Sequence, residues 1–267
     1  MVPNITIGQF FPGNSPVHRV DPRMKIILTA LYITSVLIVK GFIGYLFIAA
    51  AFVIIAGLSQ IRIQYLIKGL KPVLFVAIFT FILNVFFTQG EHLLFSIWRV
   101  NVYREGLLNA AFFALRLVFL VLGTSILTLT TSPMALTDAL ERIMKPLKAL
   151  RFPVHELAMM MTIAMRMIPT IIEETDKIMK AQTARGADFE SGKLISRAKA
   201  MVPLLVPLFV SAFRRADELS MAMESRCYRG DINRTKMKVL HLGMIDFYAL
   251  LFMGLLTALI LMEKWIL

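Results

Sequence analysis

Between Ile26 and Leu58 the chain reads IILTALYITSVLIV, then Lys40-Gly41, then FIGYLFIAAAFVIIAGL. Two uninterrupted apolar runs joined by a turn this short define a pair of antiparallel helices in a membrane, where about 20 apolar residues cross the hydrocarbon. Working outward, a third run extends from Val73 to Phe87, a fourth from Leu107 to Leu129 with Arg116 inside it, and a last from Met244 to Leu261. The stretches Leu157 to Ile172 and Ala198 to Phe213 are apolar but short and interrupted by Arg166, Pro169, Pro203 and Pro207. They read either as a kinked hairpin of spans or as long helices at the interface.

Composition agrees with this class. The chain is 58% hydrophobic and only 17% charged, with a mean hydropathy of +0.73, yet carries a formal charge of +12. Apolar spans with a basic excess describe an all-α polytopic membrane protein, of about five or more membrane helices, with a positive inner face. Nucleic acid is a poor partner for that charge, because the basic residues are not interleaved with aromatic stacking positions. No basic stretch followed by an apolar core stands at Met1 to Phe11, so no cleavable signal peptide is expected.

Charge placement sets the orientation. Arg19, Arg23 and Lys25 precede the first span, Arg62, Lys68 and Lys71 follow the second, and Arg142 to Lys238 is dense in Lys and Arg. The intervening loops are poorer, so the N-terminus and the central region are expected in the cytoplasm and the C-terminus outside. This parity holds whether the central stretches count as zero spans or two. The expected organisation is residues 1–130 as N-terminal membrane helices, 131–240 as cytoplasmic coupling helices and 241–267 as a C-terminal membrane helix.

The central region carries the functional signal. Asp138 is expected to open an amphipathic helix that Pro146 kinks or ends; His155 to Thr183 is helix-forming, and Ser191 to Ser225 repeats the arrangement. The two long helices finish alike, with Ala184-Arg185-Gly186 and Ser225-Arg226-Cys227. Aligned on the arginines, Asp176 matches Asp217, Ile178 matches Leu219 and Ala181 matches Ala222. A cation at a helix C-terminus is favoured by roughly 0.3–1 kcal/mol through the macrodipole alone, which would account for one such arginine. A pair, each beside small residues that let another backbone approach, points to matched docking sites for a two-lobed partner.

Catalytic groupings are thin. Ser191-Gly192-Lys193-Leu194 lacks the first glycine and the hydroxyl of a phosphate-binding loop. His18, His92, His155 and His241 lie on different segments without metal-ligand spacing, and Cys227 is the single cysteine. Neither a metal site nor a resident cofactor is expected, and no nucleophile and base stand out. The cluster Met159, Met160, Met161, Met165 and Met167 reads as helix packing. Glu173, Glu174 and Asp176 opposite Lys177 and Lys180 read as a solvated face with local ion pairs.

Several blocks, in order along the whole chain, resemble the transmembrane T component of energy-coupling factor transporters. They are Gly8-Gln9-Phe10-Phe11-Pro12-Gly13-Asn14-Ser15, His18 and Asp21-Pro22-Arg23-Met24-Lys25; Thr131-Ser132-Pro133, Leu136-Thr137-Asp138-Ala139-Leu140-Glu141 and Pro153-Val154-His155-Glu156-Leu157; Arg166-Met167-Ile168-Pro169-Thr170; and Phe213-Arg214-Arg215-Ala216-Asp217-Glu218-Leu219. The resemblance implies a non-catalytic coupling subunit in a bacterial cell membrane. It would join two ABC-type ATPase subunits, which bind the ATP, to a substrate-binding membrane S component, with vitamins as the expected class of substrate. The residues implied to dock on the ATPases are Ala184, Arg185, Gly186, Ser225, Arg226 and Cys227, with Arg229 as the competitor of Arg226, since the second triplet departs from the family's Ala-Arg-Gly. The alternative is a secondary transporter acting without ATPases, although the spans are nearly free of carboxylates and show no internal repeat.

Overall fold

The computed structural model describes residues 10–88, 92–97, 100–187, 189, 194–230 and 241–266. In order, they form α1 (Pro16–Arg19), α2 (Pro22–Ile38), α3 (Phe42–Ser59), α4 (Ile63–Phe87), β1 (Leu93–Ile97), β2 (Val100–Tyr103), α5 (Arg104–Thr130), α6 (Pro133–Met144), a 3-10 turn (Lys145–Leu150), α7 (Val154–Ala184), α8 (Leu194–Ser225) and α9 (Met244–Ile266). They fall into two compact units. One holds the elements before Leu140 and after Lys238; the other lies within Leu140–Lys238.

In the first unit α3, α4, α5 and α9 are long and apolar enough to cross a membrane. The all-helical polytopic class is therefore correct, with one short antiparallel hairpin, β1–β2, between α4 and α5. The seventeen-residue α2 packs among these helices. Its Tyr32, Val36 and Val39 recur at helical spacing and meet Tyr45, Ile48 and Ala51 of α3 and Met253, Leu256 and Ile260 of α9 in the main core. Phe112, Leu115, Phe119 and Leu120 of α5 close that core.

Several polar groups in the bundle are tied to backbone, as an apolar surrounding favours, although buried Arg116 Nε has no hydrogen-bond partner among the described residues. Tyr32 Oη donates to Phe119 O at 3.1 Å and Tyr45 Oη to Phe112 O at 3.3 Å. Arg116 donates through Nη2 to Val39 O at 3.2 Å, at the α2 C-terminus, and stacks on Phe113. This is the structural pairing expected of a cation within a span. Gly123 faces the Tyr32 ring so closely that a Cβ there would overlap it.

The expected start of α6 needs correction. It begins at Pro133, with the Ser132 hydroxyl accepting from Ala135 N at 3.3 Å, and not at Asp138. Proline at the first helical position behind a serine cap gives that early start. Likewise α4 begins at Ile63, ahead of the apolar run, and passes through Pro72.

The N-terminal blocks turn out to be a brace. His18 Nε2 donates to Phe11 O at 2.9 Å, Phe11 N to Leu129 O at 2.9 Å, and the Asp21 carboxylate caps α2 through Arg23 N at 2.9 Å. Buried Asp246, at the start of α9, accepts from Asp21 N and from Gly243 N, both at 2.7 Å. Buried Lys25 donates to His18 O at 3.2 Å and Thr130 O at 3.0 Å, joining the starts of α2 and α9 to the end of α5.

Candidate functional site: two matched helix ends

The second unit is dominated by α7 and α8, thirty-one and thirty-two residues long and continuous through Pro169, Pro203 and Pro207. Neither is among the helices apolar enough to span. They run antiparallel: Met159 near the start of α7 meets Tyr228 just past α8, whereas Glu174 further along α7 meets Ser211 and Arg215 earlier in α8. Glu174 was expected to pair on its own helix face. Lys177 on that face does favour its charge, but its hydrogen bonds come from Ser211 Oγ and from Arg215 Nη2, the latter at 3.0 Å. The Ser211 hydrogen bond, aided by the Arg215 charge, holds the Glu174 carboxyl below the ordinary range for glutamate.

At the end of α7, Arg185 is the C-cap and Gly186 follows with φ +89°. Gly186 N donates to Thr183 O and Ala187 N to Gln182 O, both at 3.0 Å. This pattern satisfies the last carbonyls by turning the chain through one left-handed residue. At the end of α8, Arg226 follows Ser225, and Cys227 has φ +54°. Cys227 N donates to Glu224 O at 2.9 Å and Tyr228 N to Met223 O at 3.0 Å. The two ends are thus the same motif, residue for residue, and Cys227 stands where the first end has glycine.

Both arginines are exposed and have no side-chain partner among the described residues. Ala184, Gly186, Ser225, Cys227 and Arg229 are exposed as well. The antiparallel pairing brings the two triplets to opposite ends of the helix pair. Counting from Met159, beside the α8 end, to Arg185 gives a separation of roughly 40 Å at 1.5 Å per residue. Each end therefore presents a free guanidinium against a helix C-terminus, able to form paired hydrogen bonds to a carboxylate.

Two features of the unit were not foreseen from the sequence. Tyr228 Oη donates to Met159 Sδ at 2.9 Å, so the cap carrying Arg226 is fastened to α7. Its only sequence signal is an aromatic residue two positions past the arginine. Along α8, Val202, Val206, Phe209 and Phe213 recur at helical spacing and are 53%, 58%, 62% and 70% exposed. A contiguous apolar face of this kind marks contact with a protein or membrane. Among the described residues no His, Cys, Asp and Glu groups are disposed to hold a metal ion.

A polytopic bundle in one unit and an antiparallel helix pair with two exposed arginine caps in the other define the class as an all-helical membrane protein of a multisubunit transporter. The chain belongs to the family of energy-coupling factor transporter transmembrane proteins. Residues 13–238 match the family model described as cobalt transport protein. The protein named energy-coupling factor transporter transmembrane protein EcfT from Clostridium kluyveri is 56% identical over 250 residues, covering 93% of each chain. Those of the same name from Thermosediminibacter oceani and Bacillus subtilis are 51% identical over 262 residues, covering 98% of each chain, and 48% identical over 240 residues, covering 90% of this chain and 91% of the relative.

Proposed function

We propose that this chain is the coupling subunit through which ATP hydrolysis by two ABC-type ATPase subunits drives substrate uptake by a small substrate-binding membrane protein, with vitamins as the favoured substrate class. The observation that carries this reading is the duplicated cap: two free arginines in identical backbone settings, at opposite ends of one helix pair. A pair of like ATPase subunits offers two like grooves, and two like ends set well apart can engage one each. Rotation or separation of the ATPases on nucleotide binding would then move α7 and α8 relative to one another. The exposed apolar face of α8 is a suitable contact for a membrane-embedded partner.

In this reading ATP is held by the partners, and this chain supplies leverage and no catalytic group. The basic N-terminal segment and helix pair face the cytoplasm of a bacterial cell, with the membrane bundle in its plasma membrane. Affinity purification of the tagged chain in mild detergent tests the proposal, comparing wild type with the Arg185→Glu/Arg226→Glu double variant. Two nucleotide-binding subunits and a small membrane protein should accompany the wild type, and the ATPases should be absent from the variant. Normal ATPase recovery by the double variant would end the docking assignment. Solute uptake by the chain purified alone would favour a secondary transporter instead.

A further inference from the structure

Packing in the membrane bundle is uneven along its length. Toward one end the space between α2, α3, α5 and α9 is filled by Val36, Val39, Tyr45, Ile48, Leu256 and Ile260, and Gly44 N donates to Glu263 Oε1 at 2.9 Å, tying α3 to α9. Toward the other end the same helices enclose a cavity of about 400 Å³, with Pro16 and Val17 of α1 in its lining. Counted along α9 from Ile245 to Met253 at 1.5 Å per residue, it is roughly 12 Å deep. The volume is in the range that holds a small organic ligand.

Its walls are apolar, with Leu28, Phe52, Ile126 and Phe252 among them. Lys25 brings the only side-chain charge in the lining, but it is buried, donates to His18 O and Thr130 O, and has its charge offset by buried Asp21 and Asp246. The lining therefore offers no uncompensated charge to an ionic ligand, and water would find few partners. Left empty, the walls would forgo the dispersion contacts that close packing supplies.

The opening is lateral. Val20, Lys25 and Thr130 are buried and close the polar end, whereas Ile54 and Leu58 on α3 and Ile245 and Tyr248 on α9 line the cavity and are exposed. Both α3 and α9 are long and apolar enough to span, so a rim between them faces the bilayer. Tyr248, in the second turn of α9, is of the residue type that sits at head-group level. What a bilayer presents at such a rim is a lipid tail, as apolar as the leucines around it.

We propose that the cavity is a binding site for one hydrocarbon tail of a bilayer lipid, which enters between α3 and α9 with its head group near Tyr248 and its end near Tyr32 and Met253. Head groups are not discriminated, because no free charge stands at the rim. This is independent of the coupling role of the helix caps. Transfer from bilayer to cavity gains no hydrophobic free energy, since both are hydrocarbon, so occupancy rests on packing against the walls.

Photo-crosslinking of the full chain reconstituted in a lipid bilayer tests the site, with labelled residues mapped by peptide mass spectrometry. The probes are phosphatidylcholine with a diazirine at the end of one acyl chain, the same lipid with the diazirine next to the head group, and phosphatidylglycerol with the terminal diazirine. The terminal diazirine should label Tyr32 and Met253 equally from both lipids, and the diazirine next to the head group should label Tyr248 and not Met253. Exposed Phe75 and Phe79 of α4 report ordinary lipid contact and serve as the internal reference. Ala249→Trp, which fills the cavity from α9, should lose the Tyr32 and Met253 labels and keep those on α4. Ala249→Leu serves as the milder filling variant if tryptophan prevents folding. Terminal labels confined to the outer surface of the bundle would place water or a protein segment in the cavity and overturn the proposal. So would wall labels undiminished in the filled variant that folds, or wall labelling by only one of the two lipids.

Discussion

Gly186 and Cys227 occupy the same position in two separate helix ends, each the left-handed residue directly after a C-cap arginine, at φ +89° and φ +54°. Only one of them is free of the Cβ penalty that this conformation carries, roughly 1–2 kcal/mol for a non-glycine residue. Cys227→Gly should therefore raise the stability of the α8 end by about 1 kcal/mol, and Gly186→Ala should lower that of the α7 end by a similar amount. Among the described residues, chain neighbours aside, no atom lies within 4 Å of a Cβ placed on Gly186, and its φ of +89° makes the effect conformational. Amide hydrogen exchange at Ala187 and Tyr228 reads the two caps separately. Unchanged protection in both variants would contradict the matched-cap reading.

The cap geometry also separates Arg226 from Arg229. Arg226 takes the place that Arg185 takes at the other end, whereas Arg229 lies beyond the capping turn. If the ATPases recognise the cap, Arg226→Ala should lose about 2–5 kcal/mol of docking energy, the range for breaking one side of a buried charge pair. Arg229→Ala should lose about 1 kcal/mol or less, as for exposed pairs. Titration of purified ATPase against each variant reads the difference, and the reverse order would move the contact to Arg229.

Much of this was legible in particular residues. The run at Phe42 shows its span because no charge interrupts it, whereas the run at Ile26 forms the seventeen-residue α2, which is not among the helices long enough to cross; the two arginine triplets are visible because glycine or a small residue punctuates helix-forming sequence. The start of α4 was hidden, because Lys68 and Lys71 read as a loop although long basic side chains can lie along a helix and reach polar surroundings. The β1–β2 hairpin was hidden in a segment read as a simple connection, although Phe95, Val100, Val102 and Tyr103 favour strands. The Glu174 contacts were invisible for a different reason. Local spacing offers Lys177 as its partner, and only the antiparallel packing of α7 and α8 brings Ser211 and Arg215.

Those contacts give the helix pair an acid limit. The Glu174 carboxyl is held below the ordinary glutamate value of 4.5, so its contribution to folding is complete above that value and is lost as pH falls through the lower folded-state value. Thermal melts of wild type should show a loss of stability below about pH 4.5 that is smaller in Glu174→Gln. Parallel curves for the two proteins would mean that the Ser211 and Arg215 contacts do not bias the pair.

Within the membrane bundle, Gly123 lets α5 approach the Tyr32 ring while the Tyr32 hydroxyl reaches Phe119 O. Gly123→Ala should cost about 1–3 kcal/mol through overpacking, despite its better helix propensity. Gly123→Ala combined with Tyr32→Leu, which removes the ring, should recover more stability than the separate effects predict. A double-mutant cycle on melting temperature in detergent checks this, and additivity would show that ring and glycine are not in contact.

Tyr228 links local structure to the proposed function most directly. Its backbone N–H completes the cap that positions Arg226, and its hydroxyl fastens that cap to Met159 on the neighbouring helix. Among the described residues the cap at Arg185 has no such side-chain tie. Tyr228→Phe removes only the hydroxyl and should loosen the α8 end by about 1 kcal/mol, the net value of one hydrogen bond. The capping hydrogen bonds remain, so the loss should appear as weaker ATPase binding through Arg226 and no change through Arg185. Single-site docking, with the other arginine reversed to glutamate, separates the two arms. Equal weakening at both ends would mean that Tyr228 acts on the stability of the helix pair as a whole and not on the placement of Arg226.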